Sequence, residues 1–165
     1  MRPRYSTDYL DRTYAGQGVF DLWSLLTTLE RHASLPERSW LFCRLVEWMS
    51  STRSGVWTWY EATSEALQSQ ISSAVRCYPE LHAISEYFDR GMRTWKSEQE
   101  IGQVDQWLDS HEGQLHSSLM QVAREEKALV EKLNGEQDGA ASRLAQRQIK
   151  RHRRLAAVTD LCVRK

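Results

Sequence analysis

Proline and glycine are scarce, three and eight in 165 residues. With so few breakers, and with Leu, Ala, Glu, Gln and Arg in good supply, the chain favours helix over every other local structure. Cysteine is sparse as well. Cys43, Cys77 and Cys162 lie far apart in no CxxC or other metal-like spacing, which argues against a zinc site or a disulfide framework and for reduced, structural thiols. Nowhere do about 18 apolar residues run together, so no helix is expected to span a bilayer. The opening MRPRYSTDYLDRTYAG has no apolar core of the kind a secretory leader needs, and a cytoplasmic location is the expectation.

The usual signatures of chemistry are missing too. His111 and His116 flank Glu112 and Gly113, but neither the HExxH order nor an i, i+4 histidine pair occurs, and His32 and His82 stand alone. No nucleophile elbow surrounds a serine. Gly16 and Gly18 in YAGQGVF lack a third glycine or a following lysine, so they read as a turn before a helix and not as a phosphate loop. The carboxylate pairs Glu98/Glu100 and Glu125/Glu126 read as solvated faces. No catalytic, cofactor or metal residue is assigned, and an enzyme is not expected.

What the chain does have is helical periodicity. Val19, Leu22, Trp23, Leu26 and Leu29 form one stripe over about residues 18–32. Ser34, Pro36 and Glu37 then spell a helix start, with a capping box from Ser34 to Glu37, and Leu41, Leu45, Trp48 and Met49 supply its buried face. SSTRSG ends that helix. Val56 to Val75 reads as one helix or a short one followed by a longer one. Pro79 opens another, striped by Leu81, Ile84, Tyr87, Phe88, Met92 and Trp95. After a polar connector, SEQEIG, a long helix over about 103–134 carries Leu108, Leu115, Val122 and Leu129 at sevens, bent near Gly113 and packed on the body in preference to forming a dimer zipper.

NGEQDGA, 134–140, is the linker candidate, and a helix over about 141–162 follows. The expected architecture is therefore all-α: a compact bundle of about six helices, with an acidic domain at 1–133 and a basic C-terminal helix within 141–165. Charge divides the same way. Lys+Arg and Asp+Glu balance at 22 each, yet the stretch 141–165 holds eight of the bases and one acid. Arg143, Arg147, Arg151 and Arg154 fall four, four and three apart and share a helix face, with no aromatic interleaved for base stacking. That face fits docking on the acidic body of the same or a neighbouring chain, simple solvation, or contact with nucleic acid or another anionic surface.

RSGVWTWYEATSE, residues 53–65, gathers two tryptophans and a tyrosine beside a glycine. Here the chain resembles a bacterial family of small all-helical proteins of poorly defined function that includes a dimeric DNA-mimic protein. Gly55 matches a glycine of the family's turn, Val56 stands where it has Phe, and Trp59 and Tyr60 match its aromatic pair; Arg53, Ser54, Thr58 and Ala62 depart from it. The resemblance spans about residues 18–133. It implies a helical bundle, often dimeric, that binds another protein and does not catalyse, with Trp59 and Tyr60 in the core. DNA mimicry itself fits less well, because an excess of seven acids across positions 1–140 is mild.

The expectation is a protein-binding module, an immunity-type partner or stoichiometric inhibitor of a toxin or of a basic nucleic-acid-binding protein, acting through an acidic surface. Trp57, Glu61 and Glu65 are the candidate partner-binding residues. The alternative is a nucleic-acid-associated regulator working through the C-terminal arginines. A homodimer is compatible with either, and no membrane partner is expected.

Overall fold

The computed structural model describes residues 4–16 and 18–135. They are all-helical: α1 (Thr7–Ala15), α2 (Val19–Glu30), α3 (Glu37–Ser50), α4 (Trp57–Ala62), α5 (Glu65–Val75), α6 (His82–Thr94), α7 (Glu98–Arg124) and α8 (Lys127–Gly135), with 3-10 turns at Ser51–Ser54 and Pro79–Leu81. Among the described residues no helix is long and apolar enough to cross a membrane. Among the described residues eight helices stand where five of the expected six were placed, for three reasons. α1 carries only a two-residue apolar stripe, Leu10 and Tyr14, and so leaves a weak periodic signal. The stretch 56–75 divides into α4 and α5, and 103–134 divides into α7 and α8. The expected helix over 141–162, its basic face and most of the linker lie outside the described residues. Asn134 and Gly135, given to the linker by their polarity, instead close α8.

α3 is the hub. Leu41, Phe42, Cys43, Leu45, Val46, Trp48 and Met49 are all buried, so the helix is covered on most of its circumference, by α2, α7 and α5. The period-3.6 stripe seen in the sequence is only part of its apolar surface. α7 runs alongside α3 and α6, burying Ile101, Val104, Leu108, Leu115, Leu119, Met120, Val122 and Ala123. Its heptad positions are thus spent on the protein's own core. Leu129, the last of that series, is exposed, because the helix breaks before it.

Three boundaries differ from the sequence reading, each for a local reason. SEQEIG is no connector: Glu98 and Glu100 sit in the first turn of α7, where negative charge meets the positive end of the helix dipole. Gly113 lies inside α7 with open space around it, and the interruption comes at Glu125 and Glu126. Pro36, not Ser34, is the residue before α3, and it has no side-chain acceptor to offer. A cap is supplied from far along the chain. Glu126 Oε2 accepts from the Ser39 backbone N–H at 2.8 Å and from Ser39 Oγ at 3.2 Å.

That break between α7 and α8 is therefore a joint and not a slack loop. Arg124 Nε and Nη2 donate to the carbonyls of Tyr14 and Gly16, satisfying the end of α1. Glu125 pairs with Arg38 at 2.7 Å, Glu126 caps α3, and Lys127 pairs with Asp11 of α1. Four consecutive residues tie α7 and α8 to the start of α3 and to the middle and end of α1. Tyr5 and Asn134 complete the closure, with Tyr5 N donating to Asn134 Oδ1 at 3.0 Å and Asn134 Nδ2 to Tyr5 O at 2.8 Å.

Candidate protein-binding groove

The aromatic stretch sorts itself by depth. Trp59 and Tyr60 are buried at 9% and 1% exposure, while Trp57 stands at 41%. Trp59, Tyr60 and Trp48 surround Phe88, with ring centroids 5.2–5.8 Å apart and steep interplanar angles that suit the ring quadrupoles. Tyr60 Oη donates to the Phe88 carbonyl at 3.0 Å, and its ring lies over Gly91, where any Cβ would overlap it. Burial raises the Tyr60 phenol far above its ordinary range, so it stays protonated and remains a donor. Gln68 Nε2 donates to the carbonyls of Tyr60 and Thr63, closing α4, and Ser64 Oγ accepts from Leu67 N to open α5.

Outside this plug, the turn before α4 is docked on α7. Gly55 has φ +85°, a left-handed conformation that favours glycine, and a Cβ there would lie 2.6 Å from the Trp57 ring. Val56 N donates to Asp105 Oδ1 at 2.8 Å. Asp105 is held above the usual carboxylate range, by burial first and by the charge of Asp109 one turn on; the Val56 N–H opposes both. The turn, the exposed tryptophan and the acidic face of α7 thus form one continuous patch.

Beside this patch lies an open groove of about 330 Å³ between α2, α3, the Ser51–Ser54 turn and α7. Val46, Met49 and Leu108 form its apolar lining, Arg53 stands on one side, and Asp109, Glu112 and His116 on the other. Phe20, exposed at 51%, rims it and meets the His116 ring edge to face at 5.9 Å. Asp105, Asp109, Glu112 and His116 follow the i, i+4, i+7, i+11 rule, so they share one face of α7 over ~16 Å. An acidic strip with Trp57 near one end and Phe20 at the other is the result.

Of the residues singled out in the sequence, Trp57, Glu61 and Glu65 are exposed on α4 and the start of α5, with Glu61 one turn beyond Trp57. Trp57 adjoins the acidic strip through Gly55 and Asp105. Neither glutamate lines the groove. Arg143, Arg147, Arg151 and Arg154 lie outside the described residues. Sequence reasoning passed over Phe20 and Asp109, and weighed Glu112 and His116 only as a metal or acid/base motif before setting them aside. Their signal was present: Phe20 interrupts the polar side of the α2 stripe, and the α7 residues recur at helical spacing on the side opposite its leucines.

The groups read as solvated or inert sort less evenly. His111 Nδ1 lies 2.9 Å from the Trp107 carbonyl, and its ring joins the stack of Trp107 on Tyr87. Cys43 is fully buried, and burial, then Glu30, raises its thiol well above the ordinary value, which suppresses the nucleophilic thiolate. Among the described residues no three His, Cys, Asp or Glu side chains converge as metal ligands. Glu126 is the exception to the solvated reading of its pair, being the cap on α3.

The described residues form an all-helical bundle with a groove rimmed by Phe20, with Arg53 on one side and Asp109 and Glu112 on the other, beside the exposed Trp57. Compared with family models, curated proteins and solved structures, the chain matches none.

Proposed function

We propose that the protein is a non-catalytic binding module that engages a basic protein partner through the groove and the acidic face of α7. The observation that carries this reading is the pairing of two exposed rings, Phe20 and Trp57, with Asp105, Asp109 and Glu112 on one face of α7. Exposed aromatic side chains are common anchors of protein interfaces, and the acids between them select a cationic counterpart. The described residues carry 13 Lys+Arg against 19 Asp+Glu, which favours the same class of partner. A toxin or a basic nucleic-acid-binding protein, inhibited one to one, fits that chemistry and the likeness of residues 53–63 to a family of helical binding proteins.

The test is affinity capture from the native host with the full chain, beside a double variant Asp109→Asn, Glu112→Gln and a single variant Trp57→Ala. The wild type is expected to retain a basic protein, and both variants to lose it while melting within a few degrees of wild type. Recovery of nucleic acid in its place, abolished by neutralising Arg143, Arg147, Arg151 and Arg154, would favour the alternative of a nucleic-acid-associated regulator. Turnover of a small molecule with no retained protein would defeat the binding reading.

A further inference from the structure

The groove and the basic C-terminal segment belong to one chain, and their chemistries are complementary. Among the described residues Asp109 makes no ion pair, and Glu112 meets only His116, at 4.0 Å. Beyond Gly135 the sequence runs on to Lys165 with eight Lys+Arg against three acids, interspersed with Leu144, Ile149, Leu155 and Val158. Its arginines recur four, four and three apart, and Asp109 and Glu112, three apart, share the groove face of α7. The interspersed apolar residues match a lining of Val46, Met49 and Leu108. Reach is sufficient even with the arginines on one helix face. Following the helix axes back from Gly135 to Glu112 covers at most ~35 Å, whereas Gly135 to Lys150 spans ~33 Å with 136–140 extended and 141–150 helical, a gap that the lysine and carboxylate side chains close.

We propose that the chain's own segment 141–165 occupies this groove and competes with the external partner for it. This rests on the groove being the partner surface, and it adds that the protein regulates access to it. The attraction is electrostatic and partly exposed, so it is salt-sensitive and displaceable by a partner that also fills the aromatic ends.

Zero-length carbodiimide coupling of the purified full chain tests the contact. The expected product is an amide between Lys150 Nζ and Asp109 or Glu112 within one molecule, located by peptide mass spectrometry. Its yield should fall about tenfold when two exposed ion pairs are removed by Arg147→Gln and Arg151→Gln, and similarly in about 1 M salt. Coupling spread evenly over other exposed acids such as Glu61, Glu65 and Glu98 would overturn the proposal. So would links found only between molecules in a mixture of light and heavy isotope-labelled chains. Capture separates the two readings. Arg147→Gln, Arg151→Gln should bind the basic partner more tightly than wild type if the segment competes. Unchanged capture without the crosslink refutes self-docking alone, and an intact crosslink with capture indifferent to Asp109→Asn, Glu112→Gln refutes the partner surface alone.

Discussion

Removing the side chain of Glu126 should unfasten α3, the most buried helix, from a residue 87 positions away. In Glu126→Ala the Ser39 backbone N–H, on a residue with no exposed surface, loses its 2.8 Å acceptor, and the start of α3 loses the cap that reaches it from the α7–α8 joint. A lost cap costs about 1 kcal/mol and a buried donor left unsatisfied about 1–3, and the two overlap, so about 2 kcal/mol is expected. For a chain of this size that lowers the melting temperature by roughly 4–8 °C. Glu126→Gln keeps an acceptor oxygen and sheds the charge, so it should melt close to wild type.

The pH dependence follows from the direction of the shift. Burial holds the Glu126 carboxyl above its ordinary 4.5, outweighing the donors from Ser39 and Arg38 that favour the anion. The native state then binds this proton more tightly than the unfolded chain, so stability falls as pH rises from the unfolded value through the native one. The loss is complete above the native value and absent below the unfolded one. Thermal melts followed by circular dichroism, from about pH 4 to about pH 7, should therefore show Glu126→Gln gaining on wild type as pH rises. A Glu126→Ala variant within about 1 °C of wild type, or a glutamine variant as damaged as the alanine one at neutral pH, would refute the capping argument.

Two further substitutions probe the aromatic stretch and its docking. Gly91→Ala forces a Cβ into the Tyr60 ring and its hydrogen bond to Phe88, and should cost about 2–3 kcal/mol; a melt within error of wild type would show that α6 shifts freely. Asp105→Ala strands the Val56 N–H and loosens the Gly55 turn, lowering stability by about 1–2 kcal/mol and raising the solvent exchange of the Val56 amide, whereas unchanged exchange would mean that the turn holds itself.

Helix stripes were legible because burial on one side of a cylinder imposes a 3.6-residue period on the apolar residues that pack there. Val19, Leu22, Leu26 and Leu29 of α2, and Ile84 and Phe88 of α6, stand inside as their spacing required. Within the aromatic stretch, Trp59 and Tyr60 stand inside and Trp57 outside, a division that the resemblance implied for the first two and that spacing alone did not assign. α1 was missed because two buried rungs on a short helix make too little pattern to register, although Ser6 caps it. Ser34 and Glu37 had the letters of a capping box, yet Pro36 takes the cap position, since local letters do not say where the chain turns into the helix. Glu125 and Glu126 carried the opposite lesson. As letters they were surface charge, and their roles appeared only once α7 ended beside the start of α3.

By itself, the sequence determined that this protein is helical, which faces of its main helices turn inward, and how its charge divides between the body and the segment 141–165. Those properties depend on neighbours a few positions apart, and composition and period encode them directly. Tertiary structure alone decided where the long helix breaks, which residue caps α3, and that Phe20, Asp109, Glu112 and His116 line one groove beside Trp57. Those facts are meetings between residues tens of positions apart, and their partners are chosen by how the packed helices bring distant side chains within a few ångströms.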